Sequence, residues 1–218
     1  YLPKKALKIL KKLDTPIKIQ NFLDGMKINF EEDGDTYLSP IIVLEQGICH
    51  CAEGAILAAL ALRVNGWPPL LMDLKTNKND VDHVVAVFQR FGKWGAISKT
   101  NHAVLRYREP IYDSPRELAM SYFHEYFDDR GRKNLRSFSR PLNLKIFDRR
   151  GWMTTRKEVD YIPVYLDKIK HFSILTKQQI RNLRKADQIE IAAGKLVEWE
   201  RGHRERIFGD KIKNKLNF

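Results

Sequence analysis

With 218 residues, 43% of them hydrophobic and 30% charged, the chain carries enough apolar material for one sizeable core. Its longest apolar run, Ala55–Leu62, is too short to cross a bilayer, so no integral membrane segment is expected, and no signal-peptide pattern is read. Two cysteines, Cys49 and Cys51, are too few and too close in sequence for a disulfide-built secreted domain, which points to reduced thiols in a cytoplasmic setting.

The net charge of +12 is unevenly placed: +5 over residues 1–13, +7 over residues 168–218, and zero over the middle. Basic ends can touch nucleic acid, an acidic partner or an anionic membrane face, or can simply be the solvated faces of amphipathic helices. The elements are predicted in this order. Leu2, Ala6, Leu7, Ile9, Leu10 and Leu13 form a helical stripe. Thr15-Pro16 caps a short helix running to Gly25. Ser39-Pro40 opens another, which Gly47 ends. The clearest helix of the first half runs from Cys51 to Val64 and stops at Asn65-Gly66. Leu70–Leu74, His83–Gln89 and Trp94–Ser98 read as strands. Pro115–Phe127 reads as a helix capped by Ser114. Residues 130–165 suggest one or two strands among long loops, and Thr176–Arg206 suggests a long helix. The fold class expected is α+β, with a central helix packed on an antiparallel sheet and flanking helices. Residues 168–218 are expected to form a basic helical extension packed on the domain of residues 1–167.

The chemistry concentrates at Cys51, in the first turn of the central helix. Free N–H groups and the helix dipole there favour negative charge, and hence the reactive thiolate. His83 begins an apolar strand and would stand at its mouth. A helix-start thiolate beside a strand-start imidazole is what cysteine acyl chemistry needs, with a third group to orient the ring.

The segment Cys51-Ala-Glu-Gly-Ala-Ile-Leu-Ala-Ala-Leu-Ala-Leu-Arg63-Val-Asn-Gly66-Trp-Pro68 resembles the core of the transglutaminase-like superfamily of papain-type cysteine domains. In that family the nucleophilic Cys is followed at matching spacing by Ala, Arg and Gly-x-Pro. Cys51 fits this spacing and Cys49 does not. The segment from His83 looks like the family's His-bearing strand. Trp94-Gly-Ala-Ile-Ser98-Lys-Thr100 looks like its third strand, usually Trp-x-x-x-Asp-x-Thr. The resemblance covers about residues 38–101. It implies cysteine-dependent acyl transfer or amide hydrolysis on a peptide or amide substrate, without a cofactor. The family's orienting Asp falls at Ser98, which brings no charge, and Asn101 is an alternative neutral orienter, with Asp82 and Asp113 as further candidates. Gln46, just upstream, could join the Cys51 N–H in holding an oxyanion. The Asp-to-Ser departure also admits a domain that kept the fold as a binding module and lost the chemistry. Cys49-His50-Cys51 with His83 or His102 admits a zinc reading, although Cys-x-Cys is a tight spacing. Hydrolysis and transamidation share an acyl-enzyme, so sequence does not separate them. Nor does it fix the oligomeric state.

Overall fold

The computed structural model describes residues 2–32, 34–78 and 80–200, and the backbone of residues 204–205. Two short helices open the chain, α1 (Lys4–Lys12) and α2 (Pro16–Asp24), the second capped by Thr15 Oγ1 accepting the Lys18 N–H at 3.2 Å. A minimal strand β1 (Lys27–Ile28) runs parallel to β2 (Ile48–Cys49), and between them lies α3 (Pro40–Gln46). Gly47 ends α3 in the left-handed region at φ 70°, which lets the chain turn sharply toward the next helix.

That helix, α4 (Cys51–Val64), is buried from Ala52 to Leu62. Its many alanines present little bulk, so α1, α2, α3 and the sheet can all close on it. An all-round apolar helix is stable only inside a core. The antiparallel sheet beside it is built from β3 (Leu70–Thr76), β4 (His83–Arg90), β5 (Lys93–Ile97), β6 (Arg108–Tyr112), β7 (Leu135–Ser139), β8 (Leu142–Asn143) and β9 (His171–Ser173). The order is β6-β5-β4-β3-β7-β9, with β8 continuing along the free half of β3 beyond Arg140-Pro141. β4 is apolar without interruption because both faces of the sheet are covered. Val84, Ala86 and Phe88 pack toward α4, whereas Val85 and Val87 pack toward Leu118, Tyr122 and Phe138.

The remaining elements are α5 (Pro115–Met120), α6 (Tyr161–Lys168), α7 (Lys177–Arg181), α8 (Gln188–Gly194) and the ribbon of β10 (Trp199–Glu200) and β11 (Arg204–Glu205). The chain is thus α+β, with a central helix on an antiparallel sheet. No described helix is long and apolar enough to cross a membrane.

Three local expectations change. The helix expected over Pro115–Phe127 stops at Met120, and a 3-10 turn at Phe123–Glu125 turns Tyr122, Phe123 and Tyr126 into the second core. The long helix expected over Thr176–Arg206 is broken, and residues 201–203 and 206 of it lie outside the described ones. It stops at Asn182 and restarts only where Asp187 accepts the Ile189 and Glu190 N–H groups at 3.1 Å and Glu190 reaches back to the Asp187 N–H. In between, Ala186 N donates to Gly131 O at 2.9 Å and holds the chain extended. Residues 168–200 therefore include sheet structure, since β9 extends the sheet beside β7. Periodicity also gave no sign of α6.

Candidate active site

The N-terminus of α4 is fixed by a buried carboxylate. Glu53, with 0% exposure, accepts hydrogen bonds from four donor groups: the His50 N–H at 3.0 Å, the Leu38 N–H at 2.8 Å, the Thr36 hydroxyl at 3.0 Å and the Asn29 side-chain amide at 3.1 Å. A charge can be buried only when its lone pairs are satisfied this way. His50 is the N-cap: its backbone is extended and its Nδ1 accepts the Ala52 N–H at 3.2 Å. Its Nε2 donates to Thr36 O at 2.8 Å. Cys51 is consequently the first helical residue, a position at which the ladder of α4 gives its N–H no intrahelical partner.

Cys51 keeps partial solvent exposure, whereas Cys49 is fully buried. Burial pushes the Cys49 thiol up to about 12. For Cys51, burial acts the same way but is outweighed by hydrogen bonds to His50 and His83 and by their positive charge, which bring it down to about 5. Burial opposes the charged form of His50, and the Cys51 hydrogen bond, the Cys51 and Glu53 charges and the Thr36 carbonyl together raise it to about 9.

His83 is buried and opens β4 opposite Leu74. Its Nε2 lies 2.8 Å from Ser98 Oγ. The Ser98 hydroxyl spends its one proton on Leu105 O at 2.6 Å. Ser98 therefore accepts from His83, Nε2 carries the hydrogen, and Nδ1 is left for Cys51. Ser98 itself is clasped by Gln20, whose Oε1 accepts the Ser98 N–H at 2.9 Å and whose Nε2 donates to Ser98 O at 2.8 Å.

The structure joins His83 to Ser98 and sets Cys51 within the electrostatic reach of His83, whereas the other candidates lie elsewhere. Asn101 does not face His83: its amide accepts the Trp199 N–H and donates to Trp199 O, both at 2.8 Å, so both polar ends are committed to β10. Asp82 Oδ1 takes the Thr76 N–H at 2.7 Å and closes the β3–β4 connection. Asp113 pairs with Lys93 at the sheet edge. Gln46 ends α3 with an exposed side chain, on the far side of Gly47 and β2 from Cys51 in sequence. Arg63 forms a two-pronged pair with Asp148 at 2.5 and 2.7 Å at the other end of α4. Among the described residues, the donor atoms that converge at metal-binding spacing belong to Asp73, Asp82 and Asp167, not to Cys49-His50-Cys51.

Three contributors escaped sequence reasoning. Glu53 sits three residues after His50, the spacing of a capping box, but His is an uncommon N-cap and the sequence signal is weak. His50 stands out in sequence only as a metal-ligand candidate between two cysteines. Gln20 acts across 78 residues of sequence and has no local signature. No family model and no curated protein matches this sequence.

Proposed function

We propose that this chain is a transglutaminase-like, papain-type cysteine domain catalysing acyl transfer or amide hydrolysis. The observation that supports it most is the partially exposed Cys51 at the first position of α4, between His50 and a His83 whose outer nitrogen is occupied by Ser98. The order helix-borne thiol, strand-borne imidazole and orienting residue from the next strand agrees with the resemblance over residues 38–101.

In this reading the Cys51 thiolate attacks an amide carbonyl carbon and a C–S bond forms. The Cys51 N–H, at the positive end of α4, receives the oxyanion. His83, protonated on Nδ1 and Nε2, passes the Nδ1 proton to the leaving nitrogen as the C–N bond breaks. Water or an amine then gives a proton back to Nδ1 and attacks the thioester, releasing thiolate. Ser98 orients the ring without neutralising its charge.

Burst kinetics with p-nitrophenyl acetate test the proposal: one equivalent of nitrophenolate should appear rapidly, with acetyl on Cys51. No burst in the wild type, or an undiminished burst in Cys51→Ala, would contradict it. The uncharged Ser98 favours a second reading, a binding module with the same fold. Normal Cys51 alkylation without any acyl transfer would favour that one.

A further inference from the structure

We propose that Asp73, Asp82 and Asp167 form a binding site for a hard divalent cation, separate from the thiol centre. The three residues come from β3, from the turn entering β4, and from α6. One carboxylate oxygen from each lies within 4.8 Å of the others. That is the span across a calcium ion with oxygens at about 2.4 Å; magnesium, at about 2.1 Å, requires the group to close slightly.

A second observation sets this cluster apart from an ordinary acidic patch. Asp73 is only 3% exposed, and among the described residues its Oδ1 has no hydrogen-bond partner. Its other oxygen is held by His171 Nε2 at 3.0 Å, and the remaining ring nitrogen of His171 faces Ile169 O at 2.8 Å. His171 thus anchors Asp73 through one carboxylate oxygen and leaves the other buried and unsatisfied. Such an oxygen is costly unless a cation or donor reaches it. Asp167 is exposed and Asp82 half-buried, so the group has an open side from which an ion can enter.

Charge identifies the competitor. Three converging carboxylates attract a divalent ion, and the cation already among them competes for the place. Lys75 already pairs with Asp167, so its ammonium occupies part of the ion's place. Asp82 Oδ1 also receives the Thr76 N–H and hydroxyl, which leaves Oδ2 for an ion. The donors are all oxygen, a set suited to calcium, magnesium or manganese rather than to a thiophilic metal.

Calorimetric titration of the full chain with calcium chloride and with manganese chloride tests this, alongside thermal melts. One saturable site is expected, with a Kd of order 10⁻⁴ to 10⁻³ M, as for weak oxygen-donor sites. Asp167→Asn, at an exposed position that should not impair folding, should weaken binding at least tenfold, and Lys75→Gln should tighten it several-fold. The proposal is overturned if neither wild type nor Lys75→Gln takes up an ion saturably. It is equally overturned if Asp167→Asn binds like wild type, because uptake would then be diffuse attraction elsewhere.

Discussion

Gly54 and Lys99 approach so closely that a Cβ placed on Gly54 would stand 2.7 Å from the Lys99 Cβ. The first turn of α4 and the chain leaving β5 touch through this glycine, and Ser98 is the neighbour of Lys99. The buried Lys99 ammonium in turn donates to Leu23 O and Met26 O at the end of α2. Gly54→Ala should therefore destabilise the fold by about 1–3 kcal/mol through overpacking, despite the roughly 1 kcal/mol gain in helix propensity. Urea denaturation measures this. A more stable variant would mean that the two elements are not in contact as described.

Thiol chemistry should divide the two cysteines. Cys51 ionises near 5 and is partly exposed, whereas Cys49 is buried and held up at about 12. Iodoacetamide should modify one thiol in the folded protein, at Cys51, with a rate that levels off above about pH 6 by the ordinary one-site titration. Peptide mapping after labelling identifies the site. A rate still climbing at pH 8 would remove the thiolate from the account.

Cys51 and His50 together make stability depend on pH. The fold lowers Cys51 from 9.0 to about 5, so its contribution is complete above the unfolded value and is lost as pH falls through about 5. It raises His50 from 6.5 to about 9, so that contribution is complete below 6.5 and is lost as pH rises through about 9. Between 6.5 and 9 the opposite slopes cancel, and from 6.5 down to 5 only the thiol's slope remains. The wild type should lose stability relative to Cys51→Ala over that acid interval. Parallel denaturation curves for the two proteins at every pH would contradict it.

Much of this arrangement could be read from sequence where the signal was local. Gly47 before Cys51 and Asn65-Gly66 after Val64 bracketed α4, and the run from His83 gave β4. The Ser98 position was legible as the partner of His83, and the structure places its hydroxyl there. The choice between Ser98 and Asn101 was not, because it depends on Trp199, almost 100 residues downstream. The break in the C-terminal helix was missed for a similar reason: the capping box at Asp187 competes with a long helical periodicity, and the deciding bond from Ala186 to Gly131 is non-local.

Ser98 also shows why a carboxylate would not fit there. The residue must give a proton to Leu105 O while receiving one from His83, and only a hydroxyl does both. Ser98→Ala should leave both groups unpaired, costing about 1–3 kcal/mol, and should slow Cys51 acylation. Ser98→Asp should not restore the rate, since its charge would face the Leu105 carbonyl. Acylation rates faster in Ser98→Asp than in wild type would show that the Leu105 contact is dispensable.

Glu53 gathers the chain before α3 around the helix cap. Glu53→Ala would strand its four buried or half-buried donor groups, and a loss of about 3–5 kcal/mol is expected from breaking such a buried charged network. Thermal melting is the readout, and a loss under 1 kcal/mol would show that water replaces the carboxylate freely.

The clasp of Gln20 on Ser98 makes one amide side chain stand in for a missing neighbouring strand. The far end of β5 is thereby finished by a residue that belongs to the opening helices, so those helices help fix the Ser98 hydroxyl beside His83. A protein trimmed to begin after Gly25 would retain the thiol and both imidazoles, yet the hydroxyl that aims one of them would have lost its mooring.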